Sequence, residues 1–235
     1  MTLIPPQKAM AVTQAVGAQT VHDGGVFGPP ELEALARRCP ERSIGAGECL
    51  FREGTGLDCV YVVRRGLVGL GRRANGRRVT FLLLHPGDIV GDLAAVLGRP
   101  AFFDAFAVTE AKVLVVPAAD FLTALDLRSS FVRQWAVGLG GRMAALQSRL
   151  EELLGADLRT QVASLLYHEL KAGSRVVSLT QQMIADLLGV RRTSVTRTLQ
   201  GLQRQGIIEI GYGHIAVRDH ASLADAAGRD DRAIA

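Results

Sequence analysis

Apolar residues change their spacing several times along this chain, and each change marks a predicted element. Residues 31–39 place apolar side chains on one face of a short helix, opened by Pro30 at an N-terminal position. From about Ile44 to Val116 the helical period is lost. Short β-rich runs (59–63, 67–70, 79–84, 89–90, 105–108 and 112–116) alternate with turn signals at Gly54, Gly66, Asn75-Gly76 and Pro86-Gly87-Asp88. Asn-Gly favours a hairpin because both central residues of a type I′ turn need positive φ. Many short strands at this spacing predict a small antiparallel barrel or roll. Helical spacing returns at 118–125 and again over 129–154. In the longer stretch Trp135, Leu139, Met143, Leu146, Leu150 and Leu153 recur at intervals of four, four, three, four and three. That is the a/d seam along which two parallel helices pack; the alternative is a helix packed on its own roll. Gly138, Gly140 and Gly141 each cost about 1 kcal/mol against Ala inside a helix. They either let two backbones approach closely or mark a break.

Gly155-Ala156-Asp157 reads as a hinge, with Asp157 placed to cap a helix over 158–170. A short strand at 176–179 leads into Thr180-Gln-Gln-Met-Ile-Ala-Asp-Leu-Leu-Gly-Val-Arg-Arg-Thr-Ser-Val-Thr-Arg-Thr-Leu199. This stretch has the pattern of a helix-turn-helix, which lays one helix in the DNA major groove. Ala185 is small where two helices would cross. Gly189 can take the left-handed conformation of a tight turn. Val195 faces the core, and Ile184, Leu187, Leu188, Val190 and Leu199 complete an apolar interior. Outward remain Arg192, Thr193, Ser194, Thr196 and Arg197, which can reach bases and phosphates. The competing reading is a helical hairpin with a basic solvated face. Gly206 ends the second helix, and residues 207–210 and 214–217 flank Gly211-Tyr212-Gly213 as a hairpin, or wing. After Asp219 a polar, Ala-rich tail reads as frayed.

Composition narrows the class. The chain has 235 residues, enough for one large or two modest domains, and its formal net charge is +4. Between Asp157 and Asp219 eight Arg/Lys face five Asp/Glu, so most of the positive balance lies beside the DNA-binding pattern. Cys39, Cys49 and Cys59 are an odd number with no CxxC pair, which argues against a disulfide framework or zinc site and for a reducing compartment. There is no apolar run of membrane-spanning length, and residues 1–28 lack the pattern of a secretory signal, so a cytoplasmic location is expected. No G-x-S-x-G elbow, helical metal-ligand pair or Walker-type loop occurs, so neither catalysis nor a metal site is expected.

In order, the parts are a β-roll, a seam helix, a hinge and a winged helix-turn-helix. With Asp58-Cys-Val-Tyr-Val-Val-Arg-Arg-Gly66, His85-Pro-Gly-Asp-Ile-Val-Gly-Asp-Leu93 and the Thr180–Leu199 motif, they resemble the CRP/FNR family of bacterial transcription regulators over roughly Glu31 to Asp219. The resemblance implies an α+β chain: a flexible arm over 1–28, a cyclic-nucleotide-binding-like antiparallel β-roll over 29–127, a dimerisation helix over 128–155, a winged helix-turn-helix over 156–220 and a tail over 221–235. It implies a homodimer on an inverted-repeat site, with double-stranded DNA and a second copy as partners and, for an activator, RNA polymerase as well. Arg192 and Arg197 match positions that read base edges, while Gln181, Ser194 and Thr196 are placed for phosphates. Thr193 stands where the family usually has Glu, and Arg191 stands where a capping Ser is common. A regulatory module that senses a nucleotide and acts on a protein partner is the alternative.

Members that bind cyclic AMP carry Gly-Glu-Leu followed by Arg-Ser-Ala, the Glu holding ribose hydroxyls and the Arg pairing with the cyclic phosphate. Here Gly91-Asp92-Leu93 keeps the first half with a shorter acid, and the second half reads Phe103-Asp104-Ala105. Phe cannot pair with a phosphate and Asp104 repels one. Arg99 is nearby but precedes Pro100 at the wrong spacing. Leu146 and Gln147 match the positions that contact adenine. The pattern argues against cyclic AMP and leaves open another effector or none. An iron–sulfur cluster of four thiolates cannot be built from three cysteines. For haem, another effector type of the family, His22 and His85 are the conceivable ligands.

Overall fold

The computed structural model describes residues 25–74, 77–170 and 175–228. The chain forms two compact units, one holding most of the roll and reaching Leu146, the other comprising Arg73–Thr80 and the chain from Gln147 onward. The arm expected over 1–28 lies mostly outside the described residues, as does the Asn75-Gly76 turn. Residues 25–28 belong to the roll unit rather than to an arm, because Val26 and Phe27 are buried in its core.

The first helix, α1 (Pro29–Ala36), starts on two prolines at its N-terminal positions and buries Leu32 and Leu35. The roll follows as β1 (Glu41–Ile44), β2 (Cys49–Phe51), β3 (Cys59–Arg65), β4 (Val68–Ala74), β5 (Arg77–Leu84) and β6 (Ile89–Val90), a short helix α2 (Asp92–Leu97), then β7 (Asp104–Ala107) and β8 (Ala111–Pro117). Two four-stranded sheets result, ordered β1-β8-β3-β6 and β2-β7-β4-β5. The β3–β8 pairing is antiparallel and sets Tyr61 opposite Val115 and Val62 opposite Leu114. Successive residues of a strand point to opposite faces, and β3 uses both. Val60 and Val62 face a cluster with Leu35, Ile89, Leu114, Val116, Phe121 and Phe131. Val63 faces a second cluster with Ile44, Leu50, Phe51, Val68, Leu70, Leu84 and Val90. The sheet carrying β3 is therefore covered on both sides, by the other sheet and by helices.

Two helices leave the roll, α3 (Ala118–Leu127) and α4 (Ser129–Gly155). Gly138, Gly140 and Gly141 do not interrupt α4. In the second unit, α5 (Leu158–Glu169) is capped by Asp157, whose carboxylate accepts the Thr160 N–H at 2.8 Å. That bond holds the Asp157 carboxyl below the usual carboxylate range. A strand β9 (Val176–Val177) precedes α6 (Gln181–Leu188) and α7 (Arg192–Arg204). The strands β10 (Ile208–Ile210) and β11 (Ile215–Val217) then join β9 in a three-stranded antiparallel sheet.

The tail expected after residue 220 is corrected over its described part. Residues 220–226 form a helix, α8 (His220–Ala226), capped by the Asp219 carboxylate on Ser222 N–H at 3.1 Å. It packs against α5 and buries Leu223 and Ala224.

Candidate functional site

The α6–α7 pair is shaped by its interior. Ile184, Ala185, Leu187 and Leu188 of α6 and Val195, Leu199 and Leu202 of α7 are all buried. Thr180 caps α6 by accepting Met183 N–H. Gly189 ends it at φ +68°, a left-handed conformation that costs an L side chain about 1–2 kcal/mol. The Val190 N–H then closes on the Ala185 carbonyl at 3.0 Å. These constraints leave Arg191, Arg192, Thr193 and Arg197 exposed at and along the start of α7. Among the described residues, no carboxylate pairs with any of the three arginines, so their charge is available to a polyanion.

Two hydroxyl residues behave differently. The Thr196 hydroxyl lies 2.6 Å from Gln181 Oε1 and 3.0 Å from the Arg192 carbonyl oxygen, and its one proton serves only one of them. Thr196 is thus a brace between the helices, half-buried, rather than a free phosphate contact. Ser194 is also half-buried, and its N–H donates to the Arg191 carbonyl.

The wing is tied to α7 by the Ile210 N–H, which donates to Gln203 Oε1 at 2.9 Å. At its tip Tyr212 is fully exposed. The Gly211 N–H donates to the His214 carbonyl, and the His214 ring lies against Gly211 with Nδ1 3.1 Å from the Tyr212 carbonyl oxygen.

The roll unit holds a shallow apolar recess, open to solvent, lined chiefly by Phe51, Leu57, Leu70, Leu93, Phe102 and Phe103. Gly91 and Asp92 also border it. The other residues named for an effector do not. The Asp104 carboxylate accepts the Glu53 N–H at 2.9 Å, and neither Leu146 nor Gln147 is among the lining residues. The Asp92 carboxylate is also committed elsewhere. It is buried, paired with the Arg142 guanidinium of α4, and accepts Trp135 Nε1–H at 2.8 Å. Arg142 donates besides to the Ile89 carbonyl at 3.0 Å. Burial pushes the neighbouring Asp88 carboxyl up to about 6, offset in part by the His85 N–H that it accepts at 2.7 Å and by the His85 and Arg142 charges. Arg142 carried no signal in the sequence, since its partner lies 50 positions away.

This placement corrects Trp135 as a seam residue. Its ring packs edge-on against Phe121 with centroids 6.5 Å apart, and its N–H is bound to Asp92, so it faces the roll. The apolar positions turned outward on α4 include Val132, Ala136, Met143 (61% exposed), Leu146 and Leu150 (57%), with Leu139 half-exposed. The side chain of Leu153 lies outside the described residues. Cys39, Cys49 and Cys59 are half-buried and form no disulfide among the described residues, and burial raises the Cys59 thiol. Among the described residues no three His, Cys, Asp or Glu side chains converge, and no helix is long and apolar enough to cross a membrane. His22 lies outside the described residues.

A β-roll with a recess, followed by a long helix and a winged helix-turn-helix, defines a regulator that couples a sensor-like domain to a DNA-binding one. Comparison with known proteins agrees. Residues 41–127 match the cyclic nucleotide-binding domain family and residues 160–226 the Crp-like helix-turn-helix domain family. The chain is 31% identical over 221 residues to the HTH-type transcriptional regulator Cmr of Mycobacterium tuberculosis, covering 93% of this chain and 90% of that one. It is 26% identical over 201 residues to the cyclic AMP receptor protein of Thermus thermophilus, covering 85% and 93%. A solved CRP-family transcriptional regulator, also from Thermus thermophilus, superposes with a TM-score of 0.65 at 25% identity, over 80% of this chain and 96% of that one. The chain belongs to the CRP/FNR family of transcription regulators.

Proposed function

We propose that this protein is a homodimeric, sequence-specific DNA-binding regulator that acts without cyclic AMP and carries out no catalysis. Arg191, Arg192 and Arg197, exposed at the start of α7 and without a carboxylate partner among the described residues, carry the DNA-binding reading. An Arg fork donates two hydrogen bonds to guanine O6 and N7, so Arg192 and Arg197 are the base readers. Arg191 and Gln181 hold phosphates, which set register. Thr193 and Ser194 flank them at the groove, and DNA as the partner implies a cytoplasmic location.

The outward stripe Val132, Ala136, Leu139, Met143, Leu146 and Leu150 runs at intervals of four and three, the a/d pattern of a two-helix seam, and Leu153 continues that spacing in the sequence. Paired along it, two copies present two recognition helices, so the target is an inverted repeat with half-sites about 34 Å apart, one helical turn. Against cyclic AMP stands the chemistry of the recess. Its one carboxylate is engaged by Arg142, its other described lining side chains are apolar, and the nearby Arg72, which donates to the Phe102 carbonyl at 3.1 Å, is paired with Glu53. A relative named as a cyclic AMP receptor therefore does not transfer its ligand to this chain.

The test is selection of duplexes from a random library with purified, reduced protein, with and without cyclic AMP. An inverted repeat recovered equally in both supports the proposal. Recovery only with the nucleotide overturns the reading of the recess. Binding without sequence preference overturns the reading of α7 and favours a module that acts on a protein partner.

A further inference from the structure

Two residues ahead of α1 lie between the turn that leads to Gly91 and the long helix α4. Val26 and Phe27 are both buried. The Phe27 N–H donates to the Gly87 carbonyl at 3.0 Å, and its ring stacks on Phe131 with centroids 5.7 Å apart. Three glycines meet here with no room for a side chain. A Cβ on Gly25 would come within 3.2 Å of the Pro86 carbonyl oxygen and Gly87 Cα. One on Gly87, at φ +100°, would collide with the Phe27 carbonyl oxygen. One on Gly138 of α4 would stand 2.7 Å from Val26 Cγ2. Gly138 lies one helical turn before Arg142, whose guanidinium holds Asp92 on the other side of the same pocket turn. The same two elements are therefore fastened twice, by an ion pair and by a hydrophobic strap.

We infer that Val26 and Phe27 are positioning residues: they form a strap that fixes the tilt of α4 on the roll and so aims the seam. Gly138 serves this strap and not the approach of a partner helix. The inference rests on the seam reading above. Valine is β-branched and stiff at χ1, and here it is enclosed, so its methyl cannot swing aside. A methyl added at Gly138 must push strap and helix apart by about 1 Å to recover a normal carbon–carbon distance. The helix is anchored at Phe131, roughly 10 Å away along its axis, so this shift grows to about 2 Å at Leu146.

The test uses the full chain with Gly138→Ala, Val26→Ala and both together. Affinity for the duplex selected by the wild type is read by fluorescence anisotropy, self-association by sedimentation and folding by circular dichroism. Alanine is the better helix former, so a glycine with no strap to accommodate would leave affinity unchanged on substitution. The strap predicts at least a tenfold weaker complex for Gly138→Ala with an unchanged spectrum. It predicts recovery to within threefold in the double variant, where the nearest strap atom to the new methyl is Val26 Cβ at 3.9 Å. Wild-type affinity in Gly138→Ala, or a loss that Val26→Ala does not repair, overturns the strap. Should Gly138→Ala not fold, recovery of the folded spectrum in the double variant supports the strap and failure to recover overturns it. A monomeric wild type overturns the seam reading instead. The strap is then judged by emission of Trp135, the chain's one tryptophan, shifted in the single variant and restored in the double one.

Discussion

Replacing Arg142 with methionine removes one half of the ion pair that joins α4 to the roll while keeping a side chain of similar length. Asp92 is left with a side chain only 3% exposed and one remaining donor, Trp135 Nε1–H. The Ile89 carbonyl loses its Arg142 donor as well. Breaking a buried pair on one side costs about 3–5 kcal/mol, because the surviving charge is uncompensated. The assay is urea unfolding followed by Trp135 fluorescence at pH 7, at equal protomer concentration because association adds to apparent stability. The double variant Arg142→Met with Asp92→Asn, which leaves no buried charge, should lie within about 2 kcal/mol of wild type. A single-variant loss under about 1 kcal/mol at pH 7, or a double variant as unstable as the single, would refute an electrostatic account and point to the packing of the arginine stem.

Four further outcomes are expected. Asp88 has its folded pKa raised from 3.8 to about 6, so its contribution is fully present below pH 3.8 and is lost as pH rises through 6, by up to about 3 kcal/mol; Asp88→Asn should flatten that part of the stability–pH curve, and an identical slope in both proteins would exclude Asp88 as its source. Arg197→Ala should weaken the specific complex by about 1–3 kcal/mol and relax base preference at one position, read by competition with substituted duplexes; unchanged preference removes Arg197 as a base reader. Leu150→Asp puts a charge on the outward stripe and should give monomers in sedimentation with the fold intact by circular dichroism; persistence of dimers would place the interface elsewhere. Leu223 is fully buried between α8 and α5, so Leu223→Ala should lower stability by about 2–5 kcal/mol in thermal or urea melts, and a change near zero would return residues 220–226 to the status of a tail.

What was legible in the sequence followed a regular period. Strands β3 to β8 fell where β-rich runs and turn residues alternated. The α6–α7 pair fell where Ala185, Gly189 and Val195 each met a steric need. Shorter or mixed elements were missed. Strand β1 buries only Ile44 of its four residues, so Glu41-Arg-Ser-Ile44 shows no alternation to detect. Helix α8 buries Leu223 through an Ala-rich turn whose one clear signal was Asp219 three residues before Ser222, a cap read as the start of disorder. Of the recess residues, Gly91, Asp92, Leu93 and Phe103 do lie together, whereas Asp104 is held by a backbone N–H of Glu53 and Leu146 and Gln147 lie apart from the lining.

Trp135 is the instructive exception on the seam, because α4 carries two stripes rather than one. Phe131, Trp135, Gly138 and Arg142 run at intervals of four, three and four toward the roll; Val132, Ala136, Leu139 and Met143 run at the same intervals toward solvent. The stripes differ by one residue, about 100° around the helix. Hydrophobicity selects the outer one from Leu139 onward but pulls Trp135 into it, since the inner stripe continues through a glycine and an arginine that no apolar count would join. Each of those two is explained only by a partner distant in sequence, Val26 for the glycine and Asp92 for the arginine. The inner face of the helix is therefore specified by complementarity, one missing methyl and one charge, and the outer face by simple repetition. Repetition suits a surface that must match a copy of itself; complementarity suits a seat that holds one tilt. A sequence reading recovers the first because it is periodic, and the second only when the fold brings its distant halves together.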